Sequence, residues 1–180
     1  MESEDRKLVS SVVSGETEEF RVLVERHQQA IFRFAFGLLG DREEAQDVAQ
    51  EAFLSAYMHL SSYDASRATF STWLFTIARN RCINRLKRKR AAVLPTANAV
   101  EAPAVADPVS RQELSLQLDK ALATLPVEQR SAFVLAEIEE LPYAEIARIE
   151  QATLGTIKSR IHRAKQRLQA LLEPVMRELE

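Results

Sequence analysis

The stretch RNRCINRLKRKR, Arg79 to Arg90, holds seven Lys/Arg in twelve residues and no acid, in a chain of formal net charge −2. Cations at that density neutralise phosphates, and the interleaved amides of Asn80 and Asn84 can hydrogen-bond to base edges. At 100° per residue, a helix beginning near Ser71 turns Leu74, Phe75, Ala78, Cys82 and Leu86 to one side. Trp73, Ile77, Asn80, Asn84, Lys87 and Arg88 fall on the other. An aromatic for stacking, two amides and two cations on one face suit single-stranded or distorted nucleic acid. Two plainer readings remain open. Trp73 and Ile77 could belong to the core, leaving only a basic helix end, or the basic run could be a targeting signal. Cys82 lies on the inward side and reads as a structural thiol.

A second basic segment, Gln151–Leu172, carries five Lys/Arg plus His162 and again no acid. With the residues before it (LPYAEIARIE, Leu141–Glu150), it reads as a short helix over Tyr143–Ile149, a tight turn and a long helix. That is the layout of a helix-turn-helix. Ile157, Ile161, Ala164, Leu168 and Leu171 share a face spaced for packing. Gly155, Thr156, Ser159, His162, Arg163 and Gln166 face away, flanked by Lys158, Arg160, Lys165 and Arg167. A helix entering a major groove by its N-terminus needs hydrogen-bonding groups ahead and cations alongside. Thr153 is placed to cap this helix. His162, like His27 and His59, has no metal-binding partners nearby in sequence and reads as solvated or phosphate-contacting.

A third face lies on the helix from about Arg42 to Leu60. Ala45, Val48, Ala49, Ala52, Phe53, Ala56 and Tyr57 share a broad apolar arc. Opposite stand Asp47, Gln50 and Glu51 with Leu54 and Met58 among them. Apolar residues framed by acids and an amide form a small docking patch, or else a solvated face with two stray apolar side chains.

Positioning these faces requires helices, and the composition supplies them. There are only four glycines in 180 residues and no strand-like alternation of useful length. Hydrophobic content of 46% suffices for a core, and no apolar run approaches the ~20 residues of a membrane helix. The start, MESEDRKLVSS, has no signal-peptide core, and one cysteine excludes an internal disulfide. No phosphate-binding loop, nucleophile elbow or paired-carboxylate motif is present, so an enzyme, a cofactor and a metal site are not expected. Residues 1–60 hold twelve acids against six bases, so two basic segments stand on an acidic background.

Between residues 91 and 112 the chain has seven Ala, four Val and three Pro, which suits a linker. Gly15 and Gly40-Asp41 punctuate the N-terminal helices, and Ser61–Thr69 reads as a loop. In the C-terminal part, four helices are expected: about Glu113–Leu125, one opening at Pro126 in its first turn, one from Pro142, and one after Thr153. The fold expected is all-α, with two small helical domains joined by a flexible linker. The first is an N-terminal helical bundle over 1–90. The second is a four-helix domain with the helix-turn-helix over 113–180.

These blocks, in order and over nearly the whole chain, resemble the extracytoplasmic-function (ECF) subfamily of bacterial RNA polymerase sigma factors. DREEAQDVAQEAFLSAY (41–57) is similar to the core-binding segment. TFSTWLFTIARNRCINRLKRKR (69–90) is similar to the segment that melts and reads the −10 element. LPVEQRSAFVLAEIEELPYAEIA with LGTIKSRIHRAKQRL (125–168) is similar to the −35-reading domain. The resemblance implies that Asp47, Gln50, Glu51 and Leu54 dock on the clamp coiled coil of the polymerase's largest subunit. It implies that Ser61, Tyr63, Arg67, Trp73, Asn80, Asn84, Lys87 and Arg88 bind and open the −10 DNA. In this reading the loop Ser61–Thr69 and the helix after it capture a base flipped from the −10 non-template strand, and binding the unstacked strand offsets the cost of opening. It further implies that Gly155, Thr156, Lys158, Ser159, Arg160, His162, Arg163 and Arg167 read the −35 element. The linker would thread near the RNA path, an anti-sigma factor is a common partner, and the setting is cytoplasmic without membrane insertion. Three positions depart from the family's pattern. Gln151 stands where the helix-turn-helix turn usually has glycine, with Ala152 at its usual apolar position. Glu140 replaces a second frequent glycine. A stand-alone helix-turn-helix regulator, or an adaptor with an acidic partner, would explain parts of the chain but not all three faces.

Overall fold

Gly40 ends one helix and Asp41 starts the next. Gly40 adopts a left-handed φ of 68°, which costs glycine little, and Asp41 accepts a hydrogen bond from the Glu44 amide at 3.0 Å. Cues of this kind organise the described helices in the computed structural model, which describes residues 2–92 and 111–177. In order, the helices are α1 (Glu2–Val13), α2 (Phe20–Leu39), α3 (Arg42–Met58), α4 (Phe70–Ala92), α5 (Arg111–Thr124), α6 (Val127–Phe133), α7 (Tyr143–Glu150) and α8 (Leu154–Arg177). Single 3₁₀ turns precede α2 and follow α3, and a π-helical turn, Val134–Ile138, follows α6. The described residues contain no strand. Most of the expected linker lies outside them, but α4 runs to Ala92 and α5 starts at Arg111, each inside the 91–112 span.

The C-terminal helices follow their local signals. Pro126 and Pro142 occupy the N-cap positions of α6 and α7, one residue earlier than the first-turn place expected for Pro126. Thr153 caps α8 by accepting the Thr156 amide at 3.2 Å. The two positions that lack the family's glycine are the described non-glycine residues with positive φ: Glu140 at 53° and Gln151 at 52°. A left-handed non-glycine residue costs roughly 1–3 kcal/mol. At Gln151 the surrounding bonds hold it: the amides of Gln151 and Ala152 donate to Arg148 and Ala147 carbonyls at 3.2 and 3.0 Å. The helix-turn-helix thus keeps its geometry without glycine.

The described residues form the two helical units that the sequence pattern predicts, and their buried residues pack into a core that runs through both, from Val9 to Ile161. A smaller cluster, Ala121, Leu122, Leu125, Ala164 and Leu168, ties α5 to α8. The halves meet where α2 and α4 pack on α6, α7 and the π-helical turn. Gly37 permits the close approach of α2, since a Cβ there would stand 3.0 Å from Val134 Cγ2. Arg130 reaches across to donate to the Leu38 carbonyl at 2.9 Å, with the carbonyls of Ala123 and Leu125 also in reach. Burial among these groups lowers its pKa.

Candidate nucleic-acid and docking interfaces

On α3 the inward residues Ala45, Val48, Ala49, Ala52, Phe53 and Ala56 are buried, as the 3.6-residue period requires. Tyr57 departs from that expectation: it is 42% exposed and rests edge-on against Phe20, ring centroids 5.0 Å apart. Outward, Leu54 is 61% and Met58 69% exposed, so with Tyr57 they make an apolar patch beside Asp47, Gln50 and the half-buried Glu51. The acids here are not bare. Arg85 spans Asp47 (3.4 Å) and Glu51 (3.1 Å), Arg81 bonds Glu51 at 2.8 Å, and Lys89 reaches Glu44 at 2.7 Å. The basic helix α4 lies along the acidic edge of α3, a pairing that helical periodicity does not reveal.

That pairing divides the opening basic stretch. Arg79, Arg81, Arg85 and Lys89 are held by protein carboxylates, whereas Asn80, Asn84, Lys87, Arg88 and Arg90 stand exposed. On the inward side Leu74, Phe75, Ala78 and Cys82 are buried, while Leu86 is only half-buried. Burial pushes the Cys82 thiol up to about 12, so it is neither a nucleophile nor a thiolate ligand at neutral pH.

Trp73 and Ile77 are partly buried against the core, so the plainer reading of these two is largely correct. Trp73 sits in an aromatic cluster, 5.4 Å from Tyr63 and 6.0 Å from Phe70, rather than standing alone as a stacking platform. Above this cluster the loop after α3 closes on itself. Tyr63 donates its hydroxyl to the Ala68 carbonyl at 3.0 Å, and Asp64 Oδ1 accepts from both the amide and hydroxyl of Ser66. Those two bonds from Ser66 lower the Asp64 pKa. Ser61 and Arg67 remain exposed on the loop. His27 corrects another expectation. It is buried, with Nε2 2.9 Å from Asp5 Oδ2, rather than solvated.

On α8, Ile157, Ile161, Ala164 and Leu168 are buried, but Leu171 is 46% exposed, and its neighbour Leu172 takes the partly buried place against the α5–α8 cluster. Gly155, Lys158, Ser159, His162, Arg163 and Arg167 face solvent, and Thr156 is half-covered beside Thr153. Arg160 breaks ranks. It turns inward to Glu150 at 2.9 Å.

Glu150 itself was invisible as a site in the sequence. Its side chain is fully buried, and it also receives Arg79 of α4 through two bonds, at 2.7 and 3.0 Å, and the Ser131 hydroxyl. Glu145 accepts from Thr72 at 2.7 Å, and Glu139 takes a bidentate pair from Arg33. Burial raises the Glu139 pKa against the opposing pull of Arg33, while the Arg33 value is raised by its bonds to Glu139. These contacts join the halves. Between them remains a cleft of about 1150 Å³, lined by Asn80, Asn84 and Lys87 on one wall and Pro126, Val127 and Glu128 on the other.

Two linked helical units, one ending in a helix-turn-helix whose second helix has an outward cationic face and the other bearing an exposed apolar patch rimmed by polar groups, have the layout of a DNA-binding transcription factor. The comparisons with known proteins narrow that class. Residues 23–92 match the model of sigma-70 region 2, and residues 115–168 match that of sigma-70 region 4. The chain is 35% identical over 185 residues to the ECF RNA polymerase sigma factor SigW of Bacillus subtilis, covering 96% of this chain and 98% of that protein. It is 31% identical to the ECF RNA polymerase sigma-E factor of Escherichia coli K12, covering 96% of each. A solved structure of CnrH in complex with the cytosolic domain of CnrY superposes with a TM-score of 0.75 at 28% identity, covering 94% of this chain and 97% of that one. The chain belongs to the ECF family of RNA polymerase sigma factors, alternative sigma factors that direct RNA polymerase. Sigma factors are non-catalytic initiation factors. Among the described residues, no helix is long and apolar enough to cross a membrane.

Proposed function

We propose that this chain docks on core RNA polymerase through the outward face of α3, reads and opens the −10 element with α4 and the loop before it, and reads the −35 element with α8. The observation that carries the docking assignment is the exposed apolar patch of Leu54, Tyr57 and Met58 rimmed by Asp47, Gln50 and Glu51. An apolar centre with a polar rim is the anatomy of a protein interface. The clamp coiled coil of the largest polymerase subunit is the occupant that the family resemblance implies. On the DNA side, Lys87 and Arg88 supply phosphate contacts, Asn80 and Asn84 base-edge contacts, and the Ser61–Thr69 loop over its aromatic floor takes the extruded base. Lys158, Arg163 and Arg167 flank the groove-facing Gly155, Thr156, Ser159 and His162. No covalent step is needed. Strand opening is driven by binding the single strand, and we assign the chain no catalytic residue and no cofactor. Its place of action is the cytoplasm, with the polymerase.

The packed arrangement of the two halves is a resting form in this reading. Elements centred about 25 base pairs apart lie roughly 85 Å apart along B-DNA at ~3.4 Å per base pair. Halves in direct contact cannot span that distance. Promoter engagement therefore requires separation, which frees Arg79 from Glu150 and opens the cleft at Asn80, Asn84 and Lys87. Similar solved chains carry protein partners: CnrH was solved with the cytosolic domain of CnrY, and RpoE of Bartonella quintana, 28% identical at a TM-score of 0.71, with the anti-sigma factor NepR. An anti-sigma factor that holds the closed form is proposed for this chain by that likeness.

Reconstituted transcription tests the function as a whole. Added to core polymerase on genomic fragments, the protein should produce discrete start sites that core alone does not, each lost when the −35 or −10 segment upstream is scrambled. Transcripts whose starts are indifferent to its addition would overturn the reading.

A further inference from the structure

The first helix lies outside the region 2 match, which begins at residue 23. Its contacts are nonetheless specific. Val9 and Val12 are buried in the core, and Asp5, itself only 4% exposed, pairs with His27 of α2 at 2.9 Å. Arg26 joins them, donating to Asp5 at 3.1 Å and to Glu4 at 3.2 Å. The His27 ring stands 5.5 Å from that of Phe70, the residue that opens α4 and floors the loop after α3. Helix α1 is thus fixed on one side to α2 and faces the loop on the other.

From that fixed position Arg6 extends to the loop. Its Nη2 donates to the Ala65 carbonyl at 2.9 Å, joining residues 59 apart in sequence. Ala65 lies at the tip of a segment already closed by internal bonds. The Ser66 group binds Asp64, the Arg67 amide donates to the Asp64 carbonyl at 3.1 Å, and Tyr63 holds the Ala68 carbonyl. Those bonds fix the loop's internal shape, and the Tyr63 ring seats its base against Phe70 and Trp73 of α4. Arg6 ties the tip itself to α1. A captured base needs both shape and tilt, because a pocket that swings by about 1 Å loses much of its selectivity.

We propose that α1 is a brace for strand capture, with Arg6 as a positioning residue that sets the Ser61–Thr69 loop against the extruded −10 base. This rests on the loop's assignment to the −10 strand under the function proposed above. Arg6 acts through the Ala65 carbonyl and need not touch DNA. Its removal should therefore alter which base is preferred, and not merely how tightly the backbone is held.

The experiment uses the full chain assembled with core polymerase and single-stranded oligonucleotides of the −10 non-template strand, with each of the four bases at the captured position. Arg6→Ala should leave core affinity and melting temperature near wild type. It should weaken binding of the preferred base by about 5-fold, as expected for loss of one exposed hydrogen bond of ordinary net strength, and compress the preference among bases. Arg6→Lys, which can still donate to the carbonyl, should recover most of the discrimination. Wild-type discrimination in Arg6→Ala would overturn the brace, as would a loss equal for all four bases. Ser61→Ala with Arg67→Ala separates this from the parent reading. If that variant weakens strand binding while Arg6→Ala does not, the brace alone fails. If neither variant matters, the loop is not the capture site and both ideas fall.

Discussion

Helices α4 and α8 carry the two basic segments of this protein and spend their charge differently. On α4, four of the seven cations of Arg79–Arg90 are bound by carboxylates of the protein itself, three of these along the seam with α3. On α8, Arg160 and Lys165 are paired with Glu150 and Glu137, and among the described residues no ion pair involves Lys158, Arg163 or Arg167. Each helix so presents about three cations to solvent despite very different sequence densities. Much of the charge on α4 is structural. It neutralises the acidic edge of α3, and that edge borders the proposed docking patch. Local charge density in a sequence is an upper bound on charge available to DNA.

Glu150 is where the two helices meet, so the most disruptive change falls there. Glu150→Ala leaves Arg79 and Arg160 facing a buried vacancy, a loss of about 3 kcal/mol or more for breaking a buried charge cluster. Thermal unfolding should move down by roughly 6–12 °C in a chain of this size. An unchanged transition would mean that the halves are not held by this carboxylate.

The division of charge on α4 makes a sharper prediction. Lys87→Ala with Arg88→Ala should flatten the dependence of log promoter affinity on log salt by about 0.7–0.9 per residue. Arg81→Ala should leave that slope alone and instead cost about 1 kcal/mol or less at the partly exposed α3–α4 seam. Equal slope changes in the two variants would erase the distinction between structural and DNA-facing cations.

Smallest is the effect at Cys82, on the buried side of the same helix. Its folded pKa of about 12 lies above the ordinary thiol value near 9. The sign is that of a group favouring protonation when folded. Its contribution is intact below pH 9 and is lost as pH rises toward 12. At pH 8 a thiol reagent should label the native protein only through unfolding, so the labelling rate should track added denaturant. Rapid labelling of the native state would place Cys82 on the surface and reverse the facing of α4.

Local signals in the sequence carry most of the helical layout. Asp41 caps α3, Thr153 caps α8, and Pro126 and Pro142 mark helix starts because each acts within a turn of its own position. The inward faces of α3 and α8 follow from periodicity, failing at Tyr57 and Leu171, where the neighbouring elements give incomplete cover. Gln151 and Glu140 stand at positions where the family pattern calls for glycine, and both adopt the left-handed conformation that pattern implies. What periodicity cannot supply is the identity of the element opposite a face. His27 finds Asp5 across 22 residues, Arg79 finds Glu150 across 71, and Arg33 finds Glu139 across 106. Hence the inward turn of Arg160 and the joining of the two halves were not legible, while the outward residues of α3 were.

The most direct test of the account is core binding. Wild-type protein and the Asp47→Arg and Leu54→Asp variants would each be run with core RNA polymerase on gel filtration. The account predicts that wild type co-elutes with core, and that both variants, still folded by circular dichroism, lose affinity by at least 10-fold, as for a change at the centre of an interface. Co-elution of all three alike would remove α3 as the docking surface. Failure of the wild type to bind any of several core enzymes would contradict the central claim.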